Sequence, residues 1–363
     1  MKIKINKDVL IEGIQKVQGV ITSKTTLPIL SNVLIETQQD NLRLISTDLD
    51  LGITCVIPAE IQEPGAITVP AKRFSEIIKE LPQDNITINT KKNNLVIIDT
   101  EVCQFKITGL PKEEFPKLPE FKDKQIIKLE QRELKEMIAL TSFAVSFDET
   151  RYILNGILFQ INQDKLTLVG TDGKRLALIE RLLPESTQRD IRIIVPIKTI
   201  QELNRNLKEE GSLSLVLSGN QVMFELDGVV IVSRLIEGEF PDYKQVIPPP
   251  VENKLRLKRE DFLWACRRAA LLSTPDYQAV KLELFKNKLV LSKSTPDIGE
   301  SREELRVEYS GKEMVIGFNP TYLIDVLKNL TDETIEFELN ESEKPGIIRR
   351  PGYIYIVLPM RLG

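Results

Sequence analysis

A thirteen-residue segment of this chain, Pro70–Pro82, has two further copies at nearly constant distances along the sequence. Its apolar residues follow the i, i+3, i+4, i+7 spacing of one buried helical face: Phe74, Ile77, Ile78 and Leu81. The opposite face is charged, and the proline at the start suits a first helical turn. The second copy begins at Pro196 and the third at Asn319, so the offsets are 126 and 123 residues. The segment is therefore predicted to be an amphipathic helix that occurs three times.

The segments that flank this helix repeat with the same period, which argues against a chance match. A short strand followed by a helix begins at Lys2, Gln125 and Asn253, and a strand, turn, strand unit follows each of them. The aligned residues of that unit are 124 and 123 positions apart: Leu42, Leu166 and Leu289. Each repeat is therefore predicted to contain two helices and several antiparallel strands, which is an α+β fold.

Three repeats in 363 residues imply three domains of about 120 residues, a common domain size. The expected domains are residues 1–122, 123–248 and 249–363. The segment Glu113–Lys124 is rich in proline and charge and is predicted to connect the first two domains. Pro248-Pro-Pro250 is predicted to be a second, stiff linker.

The composition is that of an ordinary globular protein, with 42% hydrophobic residues and no run near the about 20 apolar residues of a membrane span. The N-terminal residues MKIKINKDV lack the apolar core of a signal peptide, so a cytoplasmic location without membrane contact is expected. Cys55, Cys103 and Cys266 are few, odd in number and far apart. This favours reduced thiols over a disulfide framework or a zinc site.

The chain contains no histidine, which removes the commonest general base and the commonest metal ligand. The net charge of −4 would argue against a nucleic-acid partner, but the charge is unevenly distributed. The six predicted helices (7–21, 72–82, 131–146, 197–208, 258–273 and 320–330) contain 15 basic and 10 acidic residues, a net charge of +5. The rest of the chain must then carry −9. Positive helices and negative strands and loops are expected.

Several local features can be predicted from residue chemistry. Asn6 can cap the first helix. Asp172-Gly173 is interpreted as a tight turn between two strands, since no helix with a glycine-rich entry follows to hold a phosphate. Trp264, the single tryptophan, is interpreted as a core residue. The closing strand from Tyr353 ends in an apolar tail, which is expected to be pinned down or used as a contact surface.

Asp48 and Asp50 are the one pair of carboxylates that suggests metal chemistry. On a strand they would share a face and could hold a divalent cation, as in a metal-dependent nuclease. No third ligand is close in sequence, and the Thr-Asp pair recurs at Thr171-Asp172, which favours an acidic loop edge. The chain also lacks Gly-x-Ser-x-Gly, Cys-x-x-Cys and paired histidines. The protein is therefore not expected to be an enzyme.

Four stretches together closely resemble the bacterial replicative sliding clamps, the beta subunits of DNA polymerase III: RYILNG from Arg151, TDGKRLA from Thr171, EGEFPDY from Glu237 and the closing LPMRL from Leu358. With the threefold repeat, the resemblance covers the whole chain. It implies the DNA-clamp fold, in which each domain places two inner helices inside outer antiparallel sheets. It also implies a ring of two head-to-tail subunits around double-stranded DNA, bound without sequence preference in the nucleoid, and no cofactor or metal.

The resemblance assigns two sets of residues to the ring. The DNA-facing positions would be Lys24, Arg73, Arg151, Tyr152, Lys198, Arg267 and Arg268. The homodimer interface would place Phe105 and Ile107 of one subunit against Leu271 and Leu272 of the other, with Arg73 and Lys106 facing Glu300, Glu303 and Glu304. Positive helices inside a negative ring would attract the duplex electrostatically.

The resemblance also implies an apolar pocket that binds linear peptides from the replicative polymerase alpha subunit, the clamp loader, other polymerases and mismatch-repair proteins. Its residues here would be Leu154, Thr171, Gly173, Lys174, Arg175, Leu176, Pro241, Val246, Tyr322, Val357, Leu358, Pro359, Met360 and Arg361. Three positions depart from the family pattern. Lys174 stands where histidine is common, Gln245 where some members have arginine, and Gly363 extends past the usual final leucine.

A repeat protein that serves only as an interaction scaffold remains the alternative function. On that hypothesis the positive helices would be solvated faces without a DNA partner. The two hypotheses differ in whether Lys198, Arg267 and Arg268 affect DNA.

Overall fold

The structure is a computed structural model that describes residues 1–21, 27–82, 84–119, 121, 126–187, 190–251 and 254–362. These residues form two compact units. The first comprises Met1–Arg132 and Lys198–Leu235, and the second comprises Glu133–Ile197 and Ile236–Gly363. The boundary expected between residues 122 and 123 lies outside the described residues.

The first third of the chain begins with a strand that runs directly into a helix. The side chain of Asn6 accepts hydrogen bonds from the backbone N–H groups of Asp8 and Val9, at 2.9 and 3.3 Å, which confirms the predicted cap. Its described elements are β1 (Lys2–Asn6), α1 (Lys7–Val17), β2 (Asn32–Gln38), β3 (Asn41–Thr47), β4 (Leu51–Pro58), β5 (Glu60–Glu63), β6 (Ala66–Pro70), α2 (Ala71–Glu80), β7 (Asn85–Thr90), β8 (Leu95–Asp99) and β9 (Gln104–Thr108).

The middle third repeats this order of elements with one strand fewer between its two helices among the described residues. Asp172-Gly173 lies in the turn between two of its strands, as predicted. Short 3₁₀ segments occur at Glu149–Leu154, which is kinked at Arg151, and at Tyr243–Val246. The other elements are β10 (Ile126–Glu130), α3 (Gln131–Thr141), β11 (Gly156–Asn162), β12 (Lys165–Thr171), β13 (Arg175–Leu182), β14 (Ile191–Pro196), α4 (Ile197–Asn206), β15 (Ser212–Ser218), β16 (Gln221–Leu226) and β17 (Val229–Arg234).

The last third contains the helix that carries the single tryptophan. The prediction that Trp264 belongs to the core is wrong, because its side chain is 51% exposed. The buried face of that helix is formed instead by Phe262, Leu263, Ala265, Cys266 and Ala269. The elements are β18 (Lys254–Lys258), α5 (Arg259–Ala270), β19 (Val280–Phe285), β20 (Lys288–Thr295), β21 (Gly299–Arg306), β22 (Met314–Phe318), α6 (Pro320–Asn329), β23 (Thr334–Glu338), β24 (Gly346–Arg350) and β25 (Tyr353–Val357).

The strands form four antiparallel sheets, two in each unit. The first unit contains a five-stranded sheet, β5-β1-β7-β8-β9, and an eight-stranded sheet, β10-β15-β16-β17-β4-β3-β2-β6. The second unit contains an eight-stranded sheet, β14-β11-β12-β13-β25-β24-β23-β18, and a four-stranded sheet, β21-β20-β19-β22. With α1 against α2 in the first unit and α5 against α6 in the second, this is the α+β fold that the repeat predicted.

Each eight-stranded sheet is assembled from two four-stranded halves that come from different thirds of the chain. The halves meet at β4 and β17 in one sheet and at β13 and β25 in the other. The two junctions have the same register, since Leu51 lies opposite Ser233 and Arg175 opposite Val357. The corresponding strands β9 and β21 lie at sheet edges, each with a single strand partner among the described residues.

The described part of the predicted connector packs against the sheet of the first unit. Phe115 lies in an apolar cluster with Leu34 and Ile45, and Phe121 in a second cluster with Met223. Beside them the chain lines an open groove of about 930 Å³. The connector is therefore held by burial of its aromatic residues as well as by proline stiffness.

The positive helical charge is smaller than predicted. The six observed helices contain 13 basic and 10 acidic residues, a net charge of +3, because Lys208 and Lys258 lie just outside them. The three cysteines are free thiols. Within the described ranges, no helix is both long and apolar enough to cross a membrane.

Candidate functional site

The TDGKR turn between β12 and β13 is tied together by its own side chains. The Thr171 hydroxyl donates to the carbonyl of Arg175 at 2.6 Å and accepts from the N–H of Gly173 at 3.1 Å. One carboxylate oxygen of Asp172 accepts from the N–H groups of Lys174 and Arg175, at 2.8 and 3.0 Å. Gly173 has φ +83°, a left-handed conformation that glycine adopts without strain. These hydrogen bonds hold the turn in one conformation, in which the side chain of Arg175 returns to the carboxylate of Asp172.

Arg175 is the centre of a partly buried polar network in the second unit. Its guanidinium donates to Asp172 at 3.1 Å, to Asp325 at 2.6 Å and to the carbonyl of Phe143 at 2.5 Å. It also lies over the ring of Tyr322, 4.4 Å from the centroid. Burial acts to lower the pKa of Arg175, but the hydrogen bond with Asp325 and the electrostatic interactions with Tyr355, Asp325 and Asp172 together outweigh it, and the net shift is upward. Arg175 therefore stays charged and fixes the position of Tyr322.

The C-terminal segment runs along the same turn. Leu358 donates its N–H to the carbonyl of Lys174 at 2.9 Å, and Met360 donates to the carbonyl of Gly317 at 2.8 Å. The hydroxyl of Tyr355 donates to the carbonyl of Tyr322 at 2.8 Å, and burial raises the pKa of Tyr355 well above its usual value. The apolar tail is thus pinned by backbone hydrogen bonds through Met360.

An apolar floor lies next to this turn. Leu176 belongs to a buried cluster with Phe240 and Tyr243, and Leu154 packs against that cluster. Val246 and Leu358 are exposed hydrophobic residues. Of the remaining residues assigned to the pocket, Val357 is buried, Pro359 is half-buried, and Pro241, Lys174 and Arg361 are exposed. Gly363 lies outside the described residues. The second unit therefore places Leu154, Thr171, Arg175, Leu176, Tyr322 and Leu358 around one turn.

The cations assigned to DNA are mostly paired with acidic groups of their own unit. Lys198 hydrogen-bonds Asp48, and Arg268 contacts both carboxylate oxygens of Glu303, at 2.8 and 2.5 Å. Arg73 lies 3.8 Å from Glu76 and is largely exposed. Lys24 falls outside the described residues. The charges of Lys198, Arg268 and Arg73 are each partly compensated before any DNA binds.

Arg151 and Tyr152 lie on the 3₁₀ segment Glu149–Leu154, and both are exposed. Arg151 donates to Asp148 at 3.1 Å, and hydrogen bonds from Thr150 and then Arg151 hold the pKa of Asp148 below its usual value. Arg267 is not paired with a carboxylate in the described structure, and its guanidinium lies 4.7 Å from the centre of the Trp264 ring.

The residues assigned to a dimer interface lie on or beside the two sheet edges. Phe105, Lys106 and Ile107 are on β9, and Phe105 is 39% exposed. Glu300, Glu303 and Glu304 are on β21, where Glu304 contacts Arg302 at 2.7 Å. Leu271, just after α5, is 82% exposed, and Leu272 is half-buried.

Asp48 and Asp50 lie in a turn between β3 and β4 that has the hydrogen-bond pattern of the TDGKR turn. Asp48 accepts from the N–H groups of Asp50 and Leu51, and Thr47 donates to the carbonyl of Leu51 at 3.0 Å. In the described residues no group of three or more acidic or cysteine side chains is arranged to hold a metal ion. The pair is the loop edge that the repeated Thr-Asp indicated.

Sequence reasoning missed Asp325 and Phe143, which both accept hydrogen bonds from Arg175. The position of Asp325, three residues after Tyr322 on α6, was a signal that both could reach one neighbour. The contribution of Phe143 is a backbone carbonyl, for which the sequence contains no signal.

Comparison with known proteins places these sites in a family. Models of the DNA polymerase III beta subunit match its N-terminal domain to residues 1–119, its central domain to 128–242 and its C-terminal domain to 244–361. The beta sliding clamp of Chlamydia pneumoniae is 34% identical over 363 residues, covering 100% of this chain and 99% of that protein. The beta sliding clamp of Bacillus subtilis is 33% identical over 376 residues, covering 99% and 100%.

Solved structures agree over the full length. The DNA polymerase sliding clamp from Bacillus subtilis has a TM-score of 0.94 at 32% identity, with 100% of both chains covered. The DnaN sliding clamp from Bartonella birtlesii bound to griselimycin has a TM-score of 0.95 at 34% identity, with the same coverage. Because the three domain models match in order and the relatives align from end to end, this chain belongs to the DNA polymerase III beta subunit family, the beta sliding clamps.

Proposed function

We propose that two copies of this chain join head to tail into a closed ring around duplex DNA, and that the ring keeps the replicative polymerase on its template. The observation that carries the proposal is that β9 and β21 lie at sheet edges. The counterparts of β9 in the other repeats, β17 and β25, pair with the counterparts of β21, which are β4 and β13. An open sheet edge is a template for further pairing. Pairing β21 of one copy with β9 of the next would remove both edges, as symmetric assembly requires.

The internal repeat defines the register of that pairing. At the two existing junctions, Gly52 lies opposite Val232 and Leu176 opposite Ile356. The residues at the equivalent positions of β21 and β9 are Glu300 and Lys106. Opposite charges at facing positions of antiparallel strands stabilise the pair by about 0.2–1 kcal/mol. The exposed Phe105 and Leu271 and the half-buried Ile107 would supply apolar contact beside it.

The DNA contacts would be electrostatic and independent of sequence. Arg73, Arg151, Tyr152, Lys198, Arg267, Arg268 and Lys24 are the candidate contacts. Contacts to phosphates alone read no bases, so a ring can slide. The acidic partners of Lys198 and Arg268 weaken each individual contact, which suits sliding better than tight binding. Retention would then depend on the closed ring.

The pocket around Arg175 is proposed to hold linear peptides of the replicative polymerase alpha subunit, the clamp loader, other polymerases and mismatch-repair proteins. Support comes from the buried Leu176, from the partly buried Leu154 that packs against the same cluster, and from the exposed Val246 and Leu358. An apolar pocket with a few fixed polar groups is typical of ligand sites. The proposal includes domains at residues 1–122, 123–248 and 249–363 and a nucleoid-associated location in the cytoplasm. Sliding clamps are processivity factors and not enzymes, which leaves no role for a nuclease at Asp48 and Asp50.

The test is retention of the protein, loaded by a competent clamp loader, on nicked circular DNA in high salt. Retention on the circle and release after the DNA is linearised would support a closed ring held by topology. Equal, salt-sensitive loss from both forms would mean ordinary electrostatic binding and would overturn the proposal. No association with either form would favour the interaction scaffold instead.

A further inference from the structure

Trp264 occupies an exposed helix position that the fold does not require to be aromatic. Counting from the last residue of the preceding strand, the equivalent positions in the first two repeats are Glu12 and Glu136. Both are exposed, and both pair with cations, Lys16 at 2.6 Å and Arg181 at 3.1 Å. In the third repeat the carboxylate is replaced by an indole. Half of a large apolar side chain is therefore held in solvent at a site where the other repeats carry charge.

The residue that contacts Trp264 also differs from its counterparts in the other two repeats. Arg267 lies one turn along α5, and its guanidinium is 4.7 Å from the centre of the indole ring. Arg267 has no carboxylate partner within the described part of the chain, whereas Arg268 beside it is neutralised by Glu303. The cation–π contact restricts both side chains and leaves the charge of Arg267 available. The pair combines a flat ring with a free positive charge.

That combination is typical of surfaces that bind single-stranded nucleic acid, where bases stack on aromatic rings and cations follow the phosphates. A base-paired duplex leaves few base faces free for an indole to stack on, because its bases are stacked on one another. The phosphate contacts of duplex binding come from cations and from hydroxyl or amide side chains. An unpaired base presents a π-face, and the adjacent phosphate suits Arg267.

We propose that Trp264 and Arg267 form a platform on which an unpaired base of single-stranded DNA stacks, next to the duplex that the ring encircles. The proposal deepens the proposed function and rests on it for the presence of DNA beside α5. It adds a single-strand contact to a ring that would otherwise meet only duplex.

The test uses the protein's own fluorescence, because Trp264 is the single tryptophan of the chain. The full-length protein is titrated with a 20-nucleotide oligo(dT) and, separately, with a blunt duplex of the same length, with excitation selective for tryptophan. Saturable quenching by oligo(dT) and an unchanged signal with the duplex would support the proposal. Equal quenching by both, or quenching by neither, would overturn it. A signal that changes on dilution without DNA would place Trp264 at a contact between chains and would also overturn it.

Variants separate stacking from charge. Trp264→Glu restores the residue type of the other repeats and is expected to weaken oligo(dT) binding about tenfold, measured by anisotropy of a labelled oligonucleotide. Arg267→Gln should weaken it less and reduce its salt dependence. Glu136→Gln, at the equivalent position of α3, is the control and should leave binding unchanged. Unchanged binding by Trp264→Glu would contradict the platform.

The two proposals fail in distinguishable ways. Retention on circular DNA without quenching by oligo(dT) would support the ring and overturn the platform. Quenching of the tryptophan fluorescence by oligo(dT), with equal release from circular and linear DNA, would support the platform and overturn the ring.

Discussion

Arg151 donates a hydrogen bond of 3.0 Å to the main-chain carbonyl of Asp172, so a residue proposed to contact DNA supports the turn proposed to bind peptides. The carboxylate of Asp172 in turn holds the N–H groups of Lys174 and Arg175. The two candidate sites therefore share one turn. A change at Arg151 should be felt at Arg175.

The first prediction tests this link. Arg151→Gln removes the hydrogen bond to Asp172 and should lower peptide affinity about fivefold, the effect of one net hydrogen bond of about 1 kcal/mol. Peptide binding is measured by fluorescence anisotropy with a labelled linear peptide from a replicative polymerase. Arg73→Gln is the control, because Arg73 lies on α2 of the first unit, and it should leave peptide affinity unchanged. Equal affinities for the wild type and Arg151→Gln would show that the hydrogen bond between Arg151 and Asp172 contributes nothing to peptide binding.

The second prediction concerns the proposed ring. Lys106→Glu places two carboxylates at facing positions of β9 and β21, and it should shift the protein from dimer toward monomer in analytical ultracentrifugation. Glu300→Lys alone should do the same, with two lysines facing each other. The double variant Lys106→Glu with Glu300→Lys restores an opposite pair and should recover the dimer. Failure of the double variant to recover it would refute the register.

The third prediction uses the twin turns of the first and second repeats. Gly173 and Leu49 both have φ +83°, a conformation that costs a residue with a side chain about 1–2 kcal/mol. Gly173→Ala should therefore lower the melting temperature. Leu49→Gly should change it less, since relief of the backbone strain is offset by the greater freedom of glycine in the unfolded chain and by the burial that the half-exposed Leu49 gives up. Thermal unfolding of the two variants is compared with the wild type, and a loss at Leu49→Gly as large as the loss at Gly173→Ala would contradict this account.

The fourth prediction concerns Glu202 on α4, whose side chain is nearly fully buried. Burial raises the pKa of Glu202 above its usual 4.5, although Arg205 opposes the shift at 2.9 Å. A carboxyl with a raised pKa in the folded state contributes stability that is full below 4.5 and is lost as the pH rises through the folded value. Glu202→Gln should therefore gain stability relative to the wild type as the pH rises from about 4 to 7.

The control for the pH series is Glu12, whose pKa is lowered by its hydrogen bond with Lys16. Its contribution is present above the ordinary value and is lost as the pH falls. Glu12→Gln should therefore lose stability relative to the wild type as the pH rises, the opposite direction to Glu202→Gln. Melting temperatures across the pH range decide the sign, and the same direction for both variants would contradict the assignment.

The repeat made the fold largely predictable. A 3.6-residue period marks one face of a helix, and that face is buried wherever the helix packs, so the stripe of Phe74, Ile77, Ile78 and Leu81 was recognisable before the structure was known. The cap at Asn6 and the turn at Asp172-Gly173 were predictable for a related reason, because their chemistry is local. Trp264 was not, since hydrophobicity alone does not say which side of α5 a residue occupies.

The ion pairs could not be predicted from the sequence, for a different reason. Arg268 and Glu303 are 35 residues apart, and Arg175 and Asp325 are 150 apart. No local pattern predicts such partners, because they meet only when a helix packs against a strand or another segment. The count of helical charge and the assignment of Arg268 and Lys198 to DNA were both made without knowledge of their carboxylate partners.

By itself, then, the sequence determined three repeated α+β domains, the family and the positions of the helices and turns, because periodicity and local hydrogen bonding act over a few residues. Tertiary structure alone decided which cations remain unpaired, which strands lie at sheet edges and where Arg175 and Trp264 point. Those properties depend on contacts between residues far apart in the chain, and only packing brings such residues together.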